Sequence, residues 1–132
     1  AQQAAVIKRM VRDLDIPVEI VVMPIVREAD GLAMSSRNKY LSPEERKEAT
    51  ALHEALTEAE RLFDGGERDA RALVEAVKGA IADKAAQGRT DYVEAVDAET
   101  LTAAGQIERA TILAVAVFFG KTRLIDNVII NR

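Results

Sequence analysis

The run of residues 110–119, ATILAVAVFF, constrains the fold most, because ten consecutive residues there carry no charged side chain. Such a run is typical of a strongly buried β-strand. Gly120-Lys121 forms a tight turn, and residues 122–130 resume an apolar pattern, so the two segments predict an antiparallel hairpin. Residues 92–96 predict one more strand. The last third of the chain is therefore expected to form a three-stranded antiparallel sheet.

Two amphipathic helices precede these strands. The first begins at residues 42–45, SPEE, which provide a Ser N-cap, a Pro in the first turn and a Glu three residues after the cap. Its apolar face runs to Asp64-Gly65-Gly66, where the helix should end. The second runs from about Asp69 to Gln87-Gly88, and the short loop between them favours an antiparallel pair. Two helices on a three-stranded antiparallel sheet make a small α+β domain.

The first residues have a different pattern. Residues 2–14 place apolar side chains at helical spacing, and Pro17 ends that helix. Residues 18–23, VEIVVM, are almost continuously apolar, which suits a strand covered on both faces in a parallel sheet. The fold class predicted is thus α/β: residues 1–26 are the last helix and strand of a Rossmann-like nucleotide-binding domain, most of which is absent. Residues 27–132 are the α+β domain.

Composition excludes several classes of function. The net charge is −4, with +1 on residues 1–40 and −5 on residues 41–132, which argues against nucleic acid or an anionic membrane as the main partner. With no cysteine and one histidine, disulfides and thiol catalysis are excluded and a structural zinc site is disfavoured. No apolar run approaches the length of a membrane span and no signal-peptide pattern is present, so we expect a cytoplasmic protein.

A candidate anion site lies between the two parts. Residues 34–38, MSSRN, put two hydroxyls, a guanidinium and a carboxamide behind a flexible Gly31. Hydroxyls, backbone N–H groups and an arginine fork are the donors that hold phosphate. Ligands of open α/β sheets bind beyond the carboxyl ends of strands, and this segment follows the predicted strand. The alternative is an ordinary connecting loop whose serines cap local backbone. The residues alone leave both possibilities open.

A family resemblance favours the first alternative. The run DGLAMSSRN at residues 30–38, with the KYL and PEER that follow, resembles the hallmark segment of the pantothenate synthetase (pantoate–β-alanine ligase) family. Ala1-Gln2-Gln3 is similar to the end of the family's Lys-Asp-X-Gln-Gln segment, and residues 122–127, TRLIDN, are similar to its final strand. The matches span nearly the whole chain in the right order.

The resemblance implies the carboxy-terminal portion of a ligase that condenses pantoate with β-alanine. ATP is a substrate, pantoyl adenylate is the intermediate, and AMP and pyrophosphate are released. The rest of the family pattern implies Mg²⁺ held through the ATP phosphates, no metal ligands in this chain, and a homodimer. Two alternatives stay open: an adenylate-forming transferase for another carboxylic acid, and a non-catalytic α+β interaction module.

The same resemblance assigns roles to individual residues. Ser35 and Ser36 would donate hydrogen bonds to phosphate oxygens, and Arg37 would neutralise charge as pyrophosphate leaves. These three are the implied catalytic residues, and together with Met34 and Val26 they form the implied ATP-binding set.

Gln3 would bind pantoate, while Gln2 is expected to be structural. The family's histidine-rich nucleotide motif has no counterpart here, so we expect the 132-residue chain to be inactive by itself.

Other polar residues have less certain roles. His53 lies beside the apolar face of a helix, where packing is the expected role. Asp126-Asn127 interrupts an apolar strand and predicts a bulge or a buried hydrogen bond, with a structural role favoured. Arg123 is a candidate for facing the phosphate site, although the sequence does not decide this.

Overall fold

The computed structural model describes residues 1–131 and contains the predicted three-stranded antiparallel sheet. Strands β1 (Gly88–Asp97), β2 (Thr111–Phe119) and β3 (Thr122–Ile130) lie in that order, so the apolar run forms the central strand. Leu113, Val115, Val117 and Phe119 of β2 are fully buried. The turn at Gly120, where φ is +55°, connects β2 to β3. The hairpin predicted from the sequence is confirmed.

Two of the helices cover one face of the sheet. The helices are α1 (Gln2–Asp13), α2 (Pro43–Glu48), α3 (Ala51–Asp64) and α4 (Ala70–Lys84), and a 3-10 helix spans Ser36–Tyr40. The buried side of α3 includes Leu52 and Leu56, and that of α4 includes Leu73 and Val77. This arrangement confirms the small α+β domain. Across residues 1–131, every helix is too short or too polar to traverse a lipid bilayer.

The first predicted helix of this domain is divided in two. Its start is as predicted: the Ser42 hydroxyl accepts from Glu45 N–H, and the Glu45 carboxylate accepts from Ser42 N–H. Between α2 and α3, however, the Thr50 hydroxyl donates to the Lys47 carbonyl over 2.9 Å. A hydroxyl that bonds a nearby carbonyl competes with the helical ladder. The interruption buries Ala49 completely.

The strand predicted at residues 18–23 is not formed. The segment is extended after α1, but no other part of residues 1–131 pairs with it. Its apolar side chains other than Ile20 are exposed, with Val21 at 68% and Met23 at 75% of full exposure. A strand needs a neighbour for its hydrogen bonds. The prediction of a strand at residues 18–23 is therefore wrong for the described residues, which contain no segment that pairs with it.

Candidate functional site

The loop that contains Met34–Arg37 begins in a short hairpin. Arg27 faces Ala33 in an antiparallel bridge, and Met34 N–H donates to Val26 O over 2.9 Å. The chain reverses at Gly31, whose φ of +92° is open to glycine and strained for other residues. The loop therefore leaves the return arm of a hairpin, which we call the connector hairpin (residues 26–34). The sequence had predicted a connector between strand and loop, but not that this connector forms a hairpin.

Two contacts fix the tip of the connector hairpin. Asp30 forms an ion pair with Arg46 of α2 over 2.7 Å, and this hydrogen bond lowers the pKa of the Asp30 carboxyl. Gly31 lies against His53 of α3 so closely that an added Cβ would overlap the imidazole ring. His53 therefore has the packing role expected from its place beside an apolar helix face.

The two serines lie at the start of the 3-10 helix. Ser35 is the N-cap, and its Oγ accepts from Arg37 N–H over 3.2 Å. This is the backbone-capping contact expected of an ordinary loop, yet the hydroxyl hydrogen of Ser35 is still free to donate. Ser36 and Arg37 are exposed. Among residues 1–131, no carboxylate pairs with the Arg37 guanidinium.

Asn38 completes the MSSRN segment with a structural role. Its side-chain amide donates to the Ala33 carbonyl over 3.1 Å, which ties the 3-10 helix to the connector hairpin. The side-chain oxygen of Asn38 is buried and accepts no hydrogen bond within the described part of the chain. A buried acceptor of this kind needs a donor from water or a ligand.

A cavity of about 230 Å³ lies between this loop, α3 and β3. We call it the loop cavity; its lining is Leu32, Ala33, Met34, Ser35, Arg37, Asn38, Leu52, Arg123, Leu124, Ile125 and Asp126. The single acid in the lining, Asp126, is paired with Arg27. Since the Arg37 guanidinium is unpaired, the free charge of the lining is positive. The cavity is therefore suited to an anion.

Gln3 lies in a neighbouring groove of about 670 Å³ on the other face of the sheet. The first three residues of the chain border it, together with side chains of all three strands, among them Arg123, Ile125, Asp126 and Asn127. Arg123, Ile125 and Asp126 border both spaces. The structure thus brings Met34, Ser35 and Arg37 to one cavity and Gln3 to an adjacent groove. Ser36 lines neither of them.

Val26 lies at the base of the connector hairpin. Its carbonyl is used by Met34, whereas its N–H donates to no other group within residues 1–131. The Val26 side chain is exposed. The backbone N–H is thus the part of Val26 that is available to a ligand.

Arg123 is held in place by two residues of β1. Its Nε and Nη2 donate to Asp91 Oδ2 over 2.9 and 2.8 Å, and its guanidinium lies 5.5 Å from the Tyr92 ring centre. Asp91 is the extra residue of a bulge in β1, between Thr90 and Tyr92. A bulge redirects a side chain, and here it accompanies the Asp91 carboxylate that pairs with Arg123. This bulge was not predicted from the sequence.

Asp126 makes the buried hydrogen bonds that the interrupted apolar pattern predicted. It is 5% exposed and accepts from Arg27 and from Asn127 N–H. The register of β3 with β2 is continuous, so the alternative of a bulge at Asp126 is wrong. Arg27 had not been singled out in the sequence. The one available signal for Arg27 was Asp126 itself, because a lone acid in an apolar strand requires a cation from elsewhere in the chain.

The described part of the chain contains no candidate metal site. Across residues 1–131, no three His, Cys, Asp or Glu side chains lie together in an arrangement that could hold a metal ion.

Comparisons with known proteins identify the family. The family model for pantoate-beta-alanine ligase matches residues 1–129. Pantothenate synthetase from Thermotoga neapolitana is 55% identical over 131 residues, which are 99% of this chain and 46% of that protein. The chain thus spans about half the length of the curated relatives it matches.

Solved structures agree. Pantothenate synthetase from Thermus thermophilus superposes with a TM-score of 0.86 at 42% identity, over 96% of this chain and 45% of that one. Pantoate-beta-alanine ligase from Francisella tularensis, complexed with Beta-gamma ATP and Beta-alanine, superposes with a TM-score of 0.56 at 27% identity, over 97% and 40% of the two chains. The chain described here belongs to the pantoate-beta-alanine ligase family.

Proposed function

We propose that this chain is the carboxy-terminal portion of an ATP-dependent ligase that joins pantoate to β-alanine through pantoyl adenylate. The loop cavity carries the proposal, because Ser35 and the unpaired Arg37 line it together within the segment that resembles the family's hallmark. The Francisella relative, complexed with an ATP compound and β-alanine, supports the same class of substrates.

The proposed chemistry has two steps. The pantoate carboxylate attacks the α-phosphorus of ATP, and the bond to the departing pyrophosphate breaks with its electron pair on the pyrophosphate oxygen. The β-alanine amine then attacks the acyl carbon of the adenylate, loses a proton and displaces AMP. Neither step forms a bond to the protein, so its contribution is to align the reactants and to stabilise charge on phosphate oxygens.

The loop residues suit that contribution. Arg37 presents a fork of donors with a fixed positive charge, which matches phosphate oxygens that become more negative as pyrophosphate leaves. Ser35 can donate its hydroxyl hydrogen while its oxygen stays bonded to Arg37 N–H. Ser36 would reach the phosphates from outside the cavity. Met34 lines the cavity wall, and the Val26 N–H, which has no partner among the described residues, would contact the nucleotide.

Gln3 would bind a hydroxyl or carboxylate oxygen of pantoate through its amide. Mg²⁺ would enter with ATP, held by the phosphates and water rather than by side chains of this chain.

We also propose that residues 1–26 end a Rossmann-like domain and that residues 27–132 form a lid over the nucleotide. Most large apolar side chains of the first segment are exposed, including Val6, Met10 and Leu14 on α1. Exposed apolar side chains in such number indicate a surface that another layer of the protein covers, and the curated relatives are about twice as long as this chain. A homodimer, on the family resemblance alone, and a cytoplasmic location, as expected from the sequence, complete the proposal.

The test is pantoate-dependent exchange between ATP and pyrophosphate in the full-length protein that contains this chain. We expect Arg37→Ala to slow the exchange about 10²–10³-fold, since it removes a donor to developing charge. Lys39→Ala is the matched control: Lys39 is an exposed cation two residues away, outside the lining of the loop cavity, and its loss should leave the exchange unchanged.

Each result has a defined meaning. Exchange that requires pantoate and depends on Arg37 supports the proposal. Exchange with a different hydroxy acid would support the phosphate-binding role of the loop but would rule out pantoate as the substrate. No exchange with any acid favours a non-catalytic interaction module. Pantothenate formation by the 132-residue chain alone would contradict the assignment of half the site to another part of the protein.

A further inference from the structure

A buried ion pair joins the connector hairpin to the sheet. Arg27 Nη1 donates to Asp126 Oδ2 over 2.6 Å, and Nη2 donates to Oδ1 over 3.0 Å. The Asp126 side chain is 3% exposed and that of Arg27 is 22% exposed. Two parallel charge-assisted hydrogen bonds fix both the distance and the angle between their partners. The pair therefore sets the position of the hairpin relative to β3.

Further hydrogen bonds make the connection rigid on both sides. Arg27 Nη1 also donates to Gly31 O over 3.0 Å, which links the base of the connector hairpin to its tip. Asp126 Oδ1 also accepts from the N–H of Asn127 over 2.7 Å. One guanidinium thus spans the hairpin while its carboxylate partner is fixed to the backbone of the strand.

The proposed phosphate loop starts where this hairpin ends. Ala33 faces Arg27 in the bridge, and Met34 N–H bonds Val26 O, so the position of Arg27 determines where Ser35 begins. A small displacement of such a group is costly, because alignment contributes a large share of the rate in reactions of this type.

The pair also controls the charge of the loop cavity. Asp126 lines that cavity together with Ser35 and Arg37. While Arg27 is present, its charge compensates the carboxylate. Without Arg27, an uncompensated negative charge would lie beside the place where phosphate is proposed to bind, and it would repel that phosphate.

We propose that Arg27 and Asp126 are positioning residues of the phosphate loop: they fix its start against β3 and keep the cavity free of uncompensated negative charge. This inference rests on the function proposed for the Met34–Arg37 loop. A pair that served stability alone would be replaceable by apolar residues without loss. A positioning pair would not be.

Substituting Arg27 and Asp126 separately and together tests the proposal. In the full-length protein, Arg27→Met should slow pantoate-dependent ATP–pyrophosphate exchange about 10²-fold and raise the KM for ATP. Asp126→Asn alone should have a smaller effect, because no bare carboxylate is left. Adding Asp126→Asn to Arg27→Met should restore part of the lost activity.

The control for lost stability is Val77→Ala, which removes packing in α4 from a residue that lines neither the loop cavity nor the neighbouring groove. At a temperature where all variants are folded, its exchange kinetics should equal those of the wild type. Kinetics of Arg27→Met within about twofold of the wild type would overturn the proposal, and so would a double variant no more active than Arg27→Met.

Amide hydrogen exchange separates this inference from the proposed function. In Asp126→Asn, residues 33–38 should exchange faster than in the wild type, with the amides of β2 unchanged. If the wild type shows no pantoate-dependent activity, the proposed function fails, and this readout still decides the positioning role. Unchanged protection of residues 33–38 would overturn it.

Discussion

Gly31→Ala is the substitution whose consequence the structure defines most closely. Gly31 has φ of +92°, where an L-residue is strained by about 1–2 kcal/mol. The new Cβ would also overlap the ring of His53. Forcing extra atoms into a packed site costs about 1–3 kcal/mol more. We therefore expect the free energy of unfolding to fall by about 2–5 kcal/mol.

Substitutions at two other glycines separate the cost of backbone strain from the cost of steric overlap. Gly66 has φ of +110° and no atom within 4 Å of an added Cβ, so Gly66→Ala should cost only the backbone part, about 1–2 kcal/mol. Gly79 lies on the exposed side of α4, again with nothing within 4 Å and no positive φ. Gly79→Ala should stabilise the protein by about 0.5–1 kcal/mol, because alanine favours the helix.

Urea unfolding followed by circular dichroism measures all three variants. Gly31→Ala should also be measured together with His53→Ala, which removes the ring. In that background its cost should fall to that of Gly66→Ala. An equal cost with and without His53 would refute the steric explanation, and a cost no greater than that of Gly66→Ala would refute it independently.

Two further predictions concern the helix start and the turn after β1. Ser42→Ala should lower the free energy of unfolding by about 0.5–2 kcal/mol, because the N–H of Glu45 loses its cap. Ser42→Asp should retain most of the stability of the wild type, because aspartate also caps. Equal stability of the alanine variant and the wild type would contradict the capping role. The pKa of Asp97 is lowered, chiefly because its carboxylate accepts from the backbone N–H of Thr100 and then of Glu99. Its contribution to stability is thus complete above the ordinary value of 3.8 and is lost as pH falls through the lowered pKa. Asp97→Asn should accordingly show a smaller loss of stability than the wild type when urea unfolding is repeated at successively lower acidic pH, and parallel pH profiles would count against this account.

Patterns within a few residues predicted most of the α+β domain. The Ser42 cap, the Gly120 turn and the apolar run of β2 act through neighbours in the chain, so their outcome is visible in the sequence. The break at Thr50 was missed, because a helical apolar pattern continues across it. Whether its hydroxyl bonds solvent or the Lys47 carbonyl depends on how α2 and α3 pack.

The candidate site was located by its residue types, and its geometry came from tertiary contacts. The MSSRN segment could be singled out because hydroxyls and a guanidinium are concentrated there. The sequence did not indicate that Ser35 also caps the backbone or that the loop starts in a hairpin. Placing Gln3 in a groove beside the loop cavity likewise required the fold of the whole sheet.

The sequence by itself determined the family and the helix–helix–sheet order, and it predicted a segment where an anion would bind, because these follow from local patterns. Tertiary structure alone decided that Arg27 meets Asp126 across 99 positions and that Asp91 reaches Arg123 from a bulge. It also left residues 18–23 without a pairing strand among residues 1–131. Ion pairs and strand pairing require two distant segments to meet, and a one-dimensional pattern specifies the chemistry of each segment without specifying its partner.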